Sequence, residues 1–168
     1  MPDFMEEIVI ADLYRASHAT AIVHLLNEYA KDEMGGGSEL PGFVKQNLVP
    51  ELRKRIGTHA VLALIDNNPA GLAICFEGFS TFLCKPLLNI HDLVVSSEYR
   101  GRGISRRLLA KVEEIAEGIG CCKITLEVLE GNTVAQEVYK TSGFAGYELN
   151  PKIGKAMFWQ KKLAKTQQ

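Results

Sequence analysis

The chain has 168 residues, 46% hydrophobic and 23% charged, the composition of one ordinary soluble domain spanning residues 1–168. A formal net charge of −1 and a pI of about 6.4 give no basic footprint, so no nucleic-acid partner is expected. No apolar run approaches the ~20 residues of a membrane span, and the acidic residues 1–7 lack a signal-peptide pattern, so the protein is expected to be cytoplasmic with no membrane partner. Cys75, Cys84, Cys121 and Cys122 form no Cys-x-x-Cys pair, which predicts free thiols and no metal.

Residues 7–11 read as a short first strand. Ser17 is placed to cap a helix whose buried stripe is Ile22, Leu25, Leu26 and Tyr29. That helix runs into Lys31, Asp32, Glu33 and a flexible Gly35-Gly36-Gly37. A second helical pattern, Val44, Leu48, Leu52 and Ile56, is interrupted by Pro50, which predicts a kink or two short helices. Residues 60–66 read as a buried strand, Asn67-Asn68-Pro69 as a turn, and 70–79 as its antiparallel return. Lys85-Pro86 turns the chain into a buried strand over 88–95, broken only by Asn89, His91 and Asp92.

After Tyr99-Arg100-Gly101-Arg102-Gly103-Ile104-Ser105, the residues Ile104, Leu108, Val112, Ile115 and Ile119 recur at helical steps. Gly118 and Gly120 stop this helix, and 123–128 read as a second strand, parallel to the first by the crossover rule. Strands to residue 149 and over 156–163 close the sheet, and the tail 165–168 is expected to fray. The order βααβββαβαββ is mixed α/β, with about seven strands and about four helices.

The glycines lie where the first parallel strand hands over to the helix, exposing the unpaired N–H groups and positive dipole end of its first turn. Arg102, Arg106 and Arg107 at that end run against the dipole by roughly 0.3–1 kcal/mol each. An anion on the N–H groups reverses the sign, and phosphate is the obvious candidate. Neither the Gly-x-x-x-x-Gly-Lys loop nor the dinucleotide fingerprint is present, since Arg106 stands where the latter needs its third glycine.

Further on, Asn132 and Tyr139 are two helical turns apart and share one face. With Arg100, Gly103 and Ser105, and then Asn132, Ala135, Tyr139, Gly143 and Phe144, the chain resembles the GNAT superfamily of acetyl-CoA-dependent N-acetyltransferases. Ser105 departs from the Gly or Ala of that family's phosphate loop. The resemblance covers about a third of the chain and implies the GNAT fold, with the two parallel strands splayed around the cofactor's pantetheine arm. It implies that Leu93, Val94 and Val95 hold the pantetheine, and that Arg100, Gly101, Arg102, Gly103, Ile104, Ser105 and Arg106 hold the pyrophosphate. It adds Asn132, Ala135 and Tyr139 as cofactor contacts, and a homodimer as the assembly.

Acetyl transfer needs a deprotonated amine, and a free alkyl amine of pKa about 10.4 is almost wholly protonated at pH 7. Tyr139 is the candidate to hydrogen-bond the leaving thiolate. Asp92 and His91, polar groups in a buried strand, are candidates to order the amine or take its proton. By alternation they face opposite sides of the sheet, unless a bulge intervenes. Glu77 is a weaker rival, and Phe76, Phe79 and Phe82 are assigned to core and pocket wall. Within the family the central segment most resembles the diamine acetyltransferases, which carry Glu-Asp where this chain has His91-Asp92. Glu28, Asp32 and Glu33 are then candidates for a wall attracting a small cationic amine. A peptide amine acetyltransferase and a non-catalytic acetyl-CoA sensor are the alternatives.

Overall fold

The computed structural model describes residues 5–163. In chain order the elements are β1 (Glu6–Ile10), α1 (Ala16–Lys31), α2 (Gly42–Arg53), β2 (Thr58–Ile65), β3 (Asn68–Ser80), β4 (Lys85–Val95), α3 (Ile104–Gly118), β5 (Ile124–Leu126) and α4 (Thr133–Thr141). Single 3-10 turns cover Glu33–Gly35 and Ser97–Tyr99. One sheet runs β1-β2-β3-β4-β5, antiparallel except for the parallel pair β4 and β5.

Two apolar layers sandwich this sheet. On one face α3 sets Ile104, Leu108 and Val112 against Val61, Ala63, Cys75, Leu88 and Ile90. On the other, Ile22 and Leu25 of α1 and Leu52 of α2 cover Leu62, Leu72, Ile74 and Val94. The period-two alternation of β2 and β3 feeds both layers at once, which is why these strands read as continuous apolar runs. Gly71 lies close under the start of α3: a Cβ there would lie 2.9 Å from Ile104 Cγ2 and 3.1 Å from the Val94 carbonyl.

Several expectations need correction. The described sheet has five strands rather than seven, because residues 145–163 form no strand of it; their one ladder contact is the bridge Glu148 to Lys155. The second parallel strand is three residues long rather than six. Ser17 lies inside α1, whose start has no side-chain cap. α2 runs unbroken through Pro50, which faces solvent where a lost backbone bond is cheapest, and Ile56 lies beyond it, fully exposed. The β2–β3 turn is Asp66-Asn67, both at positive φ, so Asn68 and Pro69 already belong to β3. Lys85 and Pro86 likewise start β4, the turn lying at 81–84. The triple glycine is an ordered turn. Gly37 N–H donates to the Asp32 carbonyl and Ser38 N–H to that of Ala30, and a Cβ on Gly35 would meet the Tyr29 carbonyl at 1.9 Å.

Candidate active site

A bulge in β4 sets the site. Ile74 pairs with Asp92 but Cys75 pairs with Ile90, leaving His91 as the inserted residue. Before it, Leu88 and Ile90 face α3; after it, Leu93 and Val95 do, while Val94 faces α1. The change of parity places Asp92 on the α1 side. His91 stands there too, its ring edge-on to Phe76 with centroids 5.5 Å apart. The expectation of opposite faces is thereby corrected: both polar groups look toward α1. Burial pushes the Asp92 carboxyl above the ordinary carboxylate range, and His91 only partly counters it.

The sheet opens at the same point. β5 pairs with β4 only from Leu88 to Ile90, and in the middle of that ladder Asn89 Nδ2 donates to Thr125 Oγ1 at 3.0 Å. From His91 to Val95 that edge of β4 has no ladder partner among the described residues, so the backbone of Leu93, Val94 and Val95 is open to an extended ligand. Val94 itself is a buried core residue, so only its main chain can serve.

Tyr139 lies on α4, half-buried against the core layer under α3. Asn132 caps α4, its Oδ1 accepting from Ala135 N–H at 3.1 Å, which is the structural role its residue type favours. At the other end Gly143, φ +89, donates to the Lys140 carbonyl and Phe144 N–H to that of Tyr139, the two bonds of a Schellman motif. Burial, and next the Tyr29 phenol, push the Tyr139 hydroxyl up from its ordinary value, so it is fully protonated at neutral pH. Tyr29 is raised by burial and by Asp92 and Asp32. The helical stripe already contained Tyr29, but a stripe reads as core and carries no sign of a hydroxyl at a site; here that hydroxyl donates to the Met34 carbonyl at 3.2 Å.

Gly101 and Gly103 both have φ near +75°, a region L side chains rarely adopt, and a Cβ on Gly101 would meet nothing within 4 Å. No side chain caps α3, so the amides of Ile104, Ser105 and Arg106 face outward uncapped. This cradle fits a diphosphate. Ile104 is 1% exposed and offers only its N–H. Arg106 reaches Thr141 Oγ1 at 3.4 Å, Arg102 lies over the Tyr99 ring at 5.3 Å, and Arg107 turns away to Glu6.

Two members of the expected acidic wall, Glu28 and Asp32, are otherwise employed. Glu28 Oε1 accepts from Ser96 Oγ at 3.1 Å, Ser97 N–H at 2.8 Å and Ser97 Oγ at 3.1 Å. Burial raises its carboxyl, but these bonds outweigh burial and hold it below its ordinary value. Asp32 accepts from Met34 N–H and from Arg100 Nη2, both at 3.0 Å, and these partners lower it too. Glu77 pairs with His59 at 2.6 Å, and Phe79 and Phe82 are exposed at the β3–β4 tip rather than lining a pocket. Asp92 is therefore the carboxylate left facing the gap without a hydrogen-bond partner among the described residues.

The Acetyltransferase (GNAT) family matches residues 19–144. The chain belongs to it. As a GNAT member it is an acetyl-CoA-dependent N-acetyltransferase. It is 28% identical over 127 residues to the thialysine N-epsilon-acetyltransferase of Caenorhabditis elegans, covering 74% of this chain and 75% of that protein. Its identity to the thialysine N-epsilon-acetyltransferase of Sus scrofa is 43% over 73 residues, 44% of this chain and 42% of the pig protein. In fold it matches the aminoglycoside N-acetyltransferase AAC(6')-Iy, solved in complex with CoA, with a TM-score of 0.73 and 19% identity over 97% of this chain and 99% of that one.

Proposed function

We propose that this GNAT enzyme acetylates the primary amine of a small cationic molecule by direct attack, with Asp92 as proton acceptor and Tyr139 as hydrogen-bond donor to the departing sulfur. Acetyl-CoA supplies the thioester and its thiolate leaving group. The Gly101 to Arg106 loop would hold its diphosphate and the free edge of β4 its pantetheine arm. One observation carries the reading: the bulge brings a half-buried carboxylate with no hydrogen-bond partner among the described residues to the point where β4 and β5 separate.

The proton transfer works through desolvation. Burial lowers the pKa of an ammonium and raises that of a carboxylate, so the gap between the two narrows where both are withdrawn from water. Asp92 first attracts the protonated amine and then accepts its proton on a carboxylate oxygen. His91, on the same face, helps order the amine. Tyr139 Oη keeps its proton at neutral pH and donates it in a hydrogen bond where negative charge develops. The relatives named for thialysine support an acceptor with a lysine-like amine. Cytoplasmic location rests on four free cysteines, and the homodimer on the resemblance to the family.

The test is thiol release with polyamines, thialysine and lysine, neutral aromatic amines and peptides, using wild type and Asp92→Asn. Cationic amines should lead, and the variant should lose that preference. A preference for neutral acceptors, or an unchanged profile in the variant, would remove Asp92 from the mechanism.

A further inference from the structure

The proposed function gives no task to Arg107, although it stands in the first turn of α3, where a cation runs against the helix dipole. Its guanidinium makes two sets of contacts. Nη2 donates to Glu6 Oε2 at 2.8 Å while Nε lies against Glu6 Oε1, a fork on one carboxylate. The same Nη2 donates to the Arg102 carbonyl at 2.9 Å, and Nη1 lies 3.2 Å from where a Cβ on Gly103 would stand.

Glu6 is a firm anchor. It opens β1, at the opposite edge of the sheet from β5, and pairs there with Ile65. One residue earlier the chain is tied to the β2–β3 turn: Met5 N–H donates to Asp66 Oδ1 at 3.0 Å, and Asp66 N–H to the Met5 carbonyl at 2.9 Å. The glycine loop is the opposite case. Gly101 and Gly103 both lie at positive φ, and a glycine takes either sign of φ at little steric cost, so nothing local stops the peptide between Arg102 and Gly103 from turning over. Its orientation matters to a ligand. A trans peptide points its N–H away from its carbonyl. A carbonyl turned inward to Arg107 therefore leaves the Gly103 N–H turned outward, alongside the uncapped amides of Ile104, Ser105 and Arg106.

We infer that Arg107, anchored by Glu6, is a positioning residue for acetyl-CoA: it fixes the Arg102–Gly103 peptide so that the Gly103 N–H is aimed at the diphosphate. The inference rests on the reading that this loop holds the diphosphate. Neither side chain touches the cofactor. Arg107 acts by holding a carbonyl, and Glu6 acts by holding Arg107 and offsetting its charge at the unfavourable end of the helix. The pair joins residues 101 apart in the chain, so the cofactor loop depends on the seating of the first strand.

Calorimetric binding of CoA to the full chain, with steady-state kinetics on the best amine of the panel, tests this. Arg107→Met and Glu6→Gln should each weaken CoA about three- to tenfold, the partial loss of one hydrogen bond to a charged group. The double variant should bind no more weakly than Arg107→Met, because both act through one carbonyl; additive losses would overturn the coupling. KM for acetyl-CoA should rise in step, with kcat and the KM for the amine unchanged. Gly103→Glu is the control for the loop itself and should abolish binding. If it does so while Arg107→Met binds CoA like wild type, the positioning role is overturned and the loop reading stands. If Gly103→Glu binds normally, both fall together. Tighter binding by Glu6→Gln would show a released Arg107 reaching the diphosphate itself, which overturns the inference, as would a fall in kcat matching the rise in KM. Should Arg107→Met fail to fold, the Glu6→Gln affinity decides alone.

Discussion

Phe144 holds Tyr139 in two ways: its N–H donates to the Tyr139 carbonyl at 2.9 Å, and its ring meets the Tyr139 ring edge-on, with centroids 6.0 Å apart at 62°. The hydrogen bond belongs to the Schellman motif and the ring contact to its usual apolar partner. The residue that ends the helix thus also aims the phenol. Tyr139→Phe should lower kcat by roughly 10²–10⁴-fold with little change in acetyl-CoA affinity. Phe144→Leu keeps the backbone bond and loses a ring contact worth about 0.5–1.5 kcal/mol. It should lower kcat by a smaller factor, and equal KM values for acetyl-CoA in all three proteins would locate the effect at the phenol.

The proton acceptor proposed at Asp92 also carries a stability cost. Its folded pKa is raised by burial, so the native state binds its proton more tightly than the unfolded chain does. The penalty for the buried charge is absent below the unfolded pKa of about 3.9 and fully present above the folded pKa, so stability falls as pH rises between them. Asp92→Asn should therefore raise Tm at pH 7, with the gain shrinking toward pH 4. A thermal melt series across that range checks the sign, and a variant less stable at pH 7 than wild type would contradict it.

Arg100, just before the glycine loop, is already paired. Its Nη2 lies 3.0 Å from Asp32 Oδ2, with the arginine 58% and the aspartate 31% exposed, so solvent keeps the pair under about 1 kcal/mol. Asp32→Asn preserves an oxygen for Met34 N–H and removes the charge. Acetyl-CoA affinity measured by calorimetry should improve about two- to fivefold at low salt, and the improvement should shrink in 0.5 M salt.

Gly71 couples the core to the same loop. A methyl there would press on Ile104 Cγ2 at 2.9 Å and Leu108 Cδ1 at 3.0 Å, and Ile104 is the first residue of α3. Gly71→Ala should cost about 1–3 kcal/mol in urea unfolding by overpacking. It should also weaken acetyl-CoA binding by tilting the helix start away from the glycine loop.

The crossover from β4 to β5 and the α4 motif were legible because each carries its own local signature: apolar period, paired glycines at positive φ, a capping Asn132. The functional placement of Asp92 was not, since two adjacent polar residues conceal the change of parity that marks a bulge. Tyr29 was hidden for a related reason, being one more member of an apolar stripe. The strands expected after Phe144 rest on short apolar runs such as Met157-Phe158-Trp159. A pattern of that kind specifies a strand but not the sheet that receives it. Pro50 misled because sequence shows the missing N–H without showing that it faces solvent.

The bulge at His91 makes β4 a strand read in two frames. Leu88 and Ile90 obey one parity, Leu93 and Val95 the other, and one inserted residue reconciles them. Length at this point therefore matters more than identity. Exchanging His91 for another polar residue disturbs one side chain. Deleting it would leave Asp92 and Leu93 on their present faces, still opposite Ile74 and Ala73, but would straighten β4 by removing the extra residue that bends it where it parts from β5.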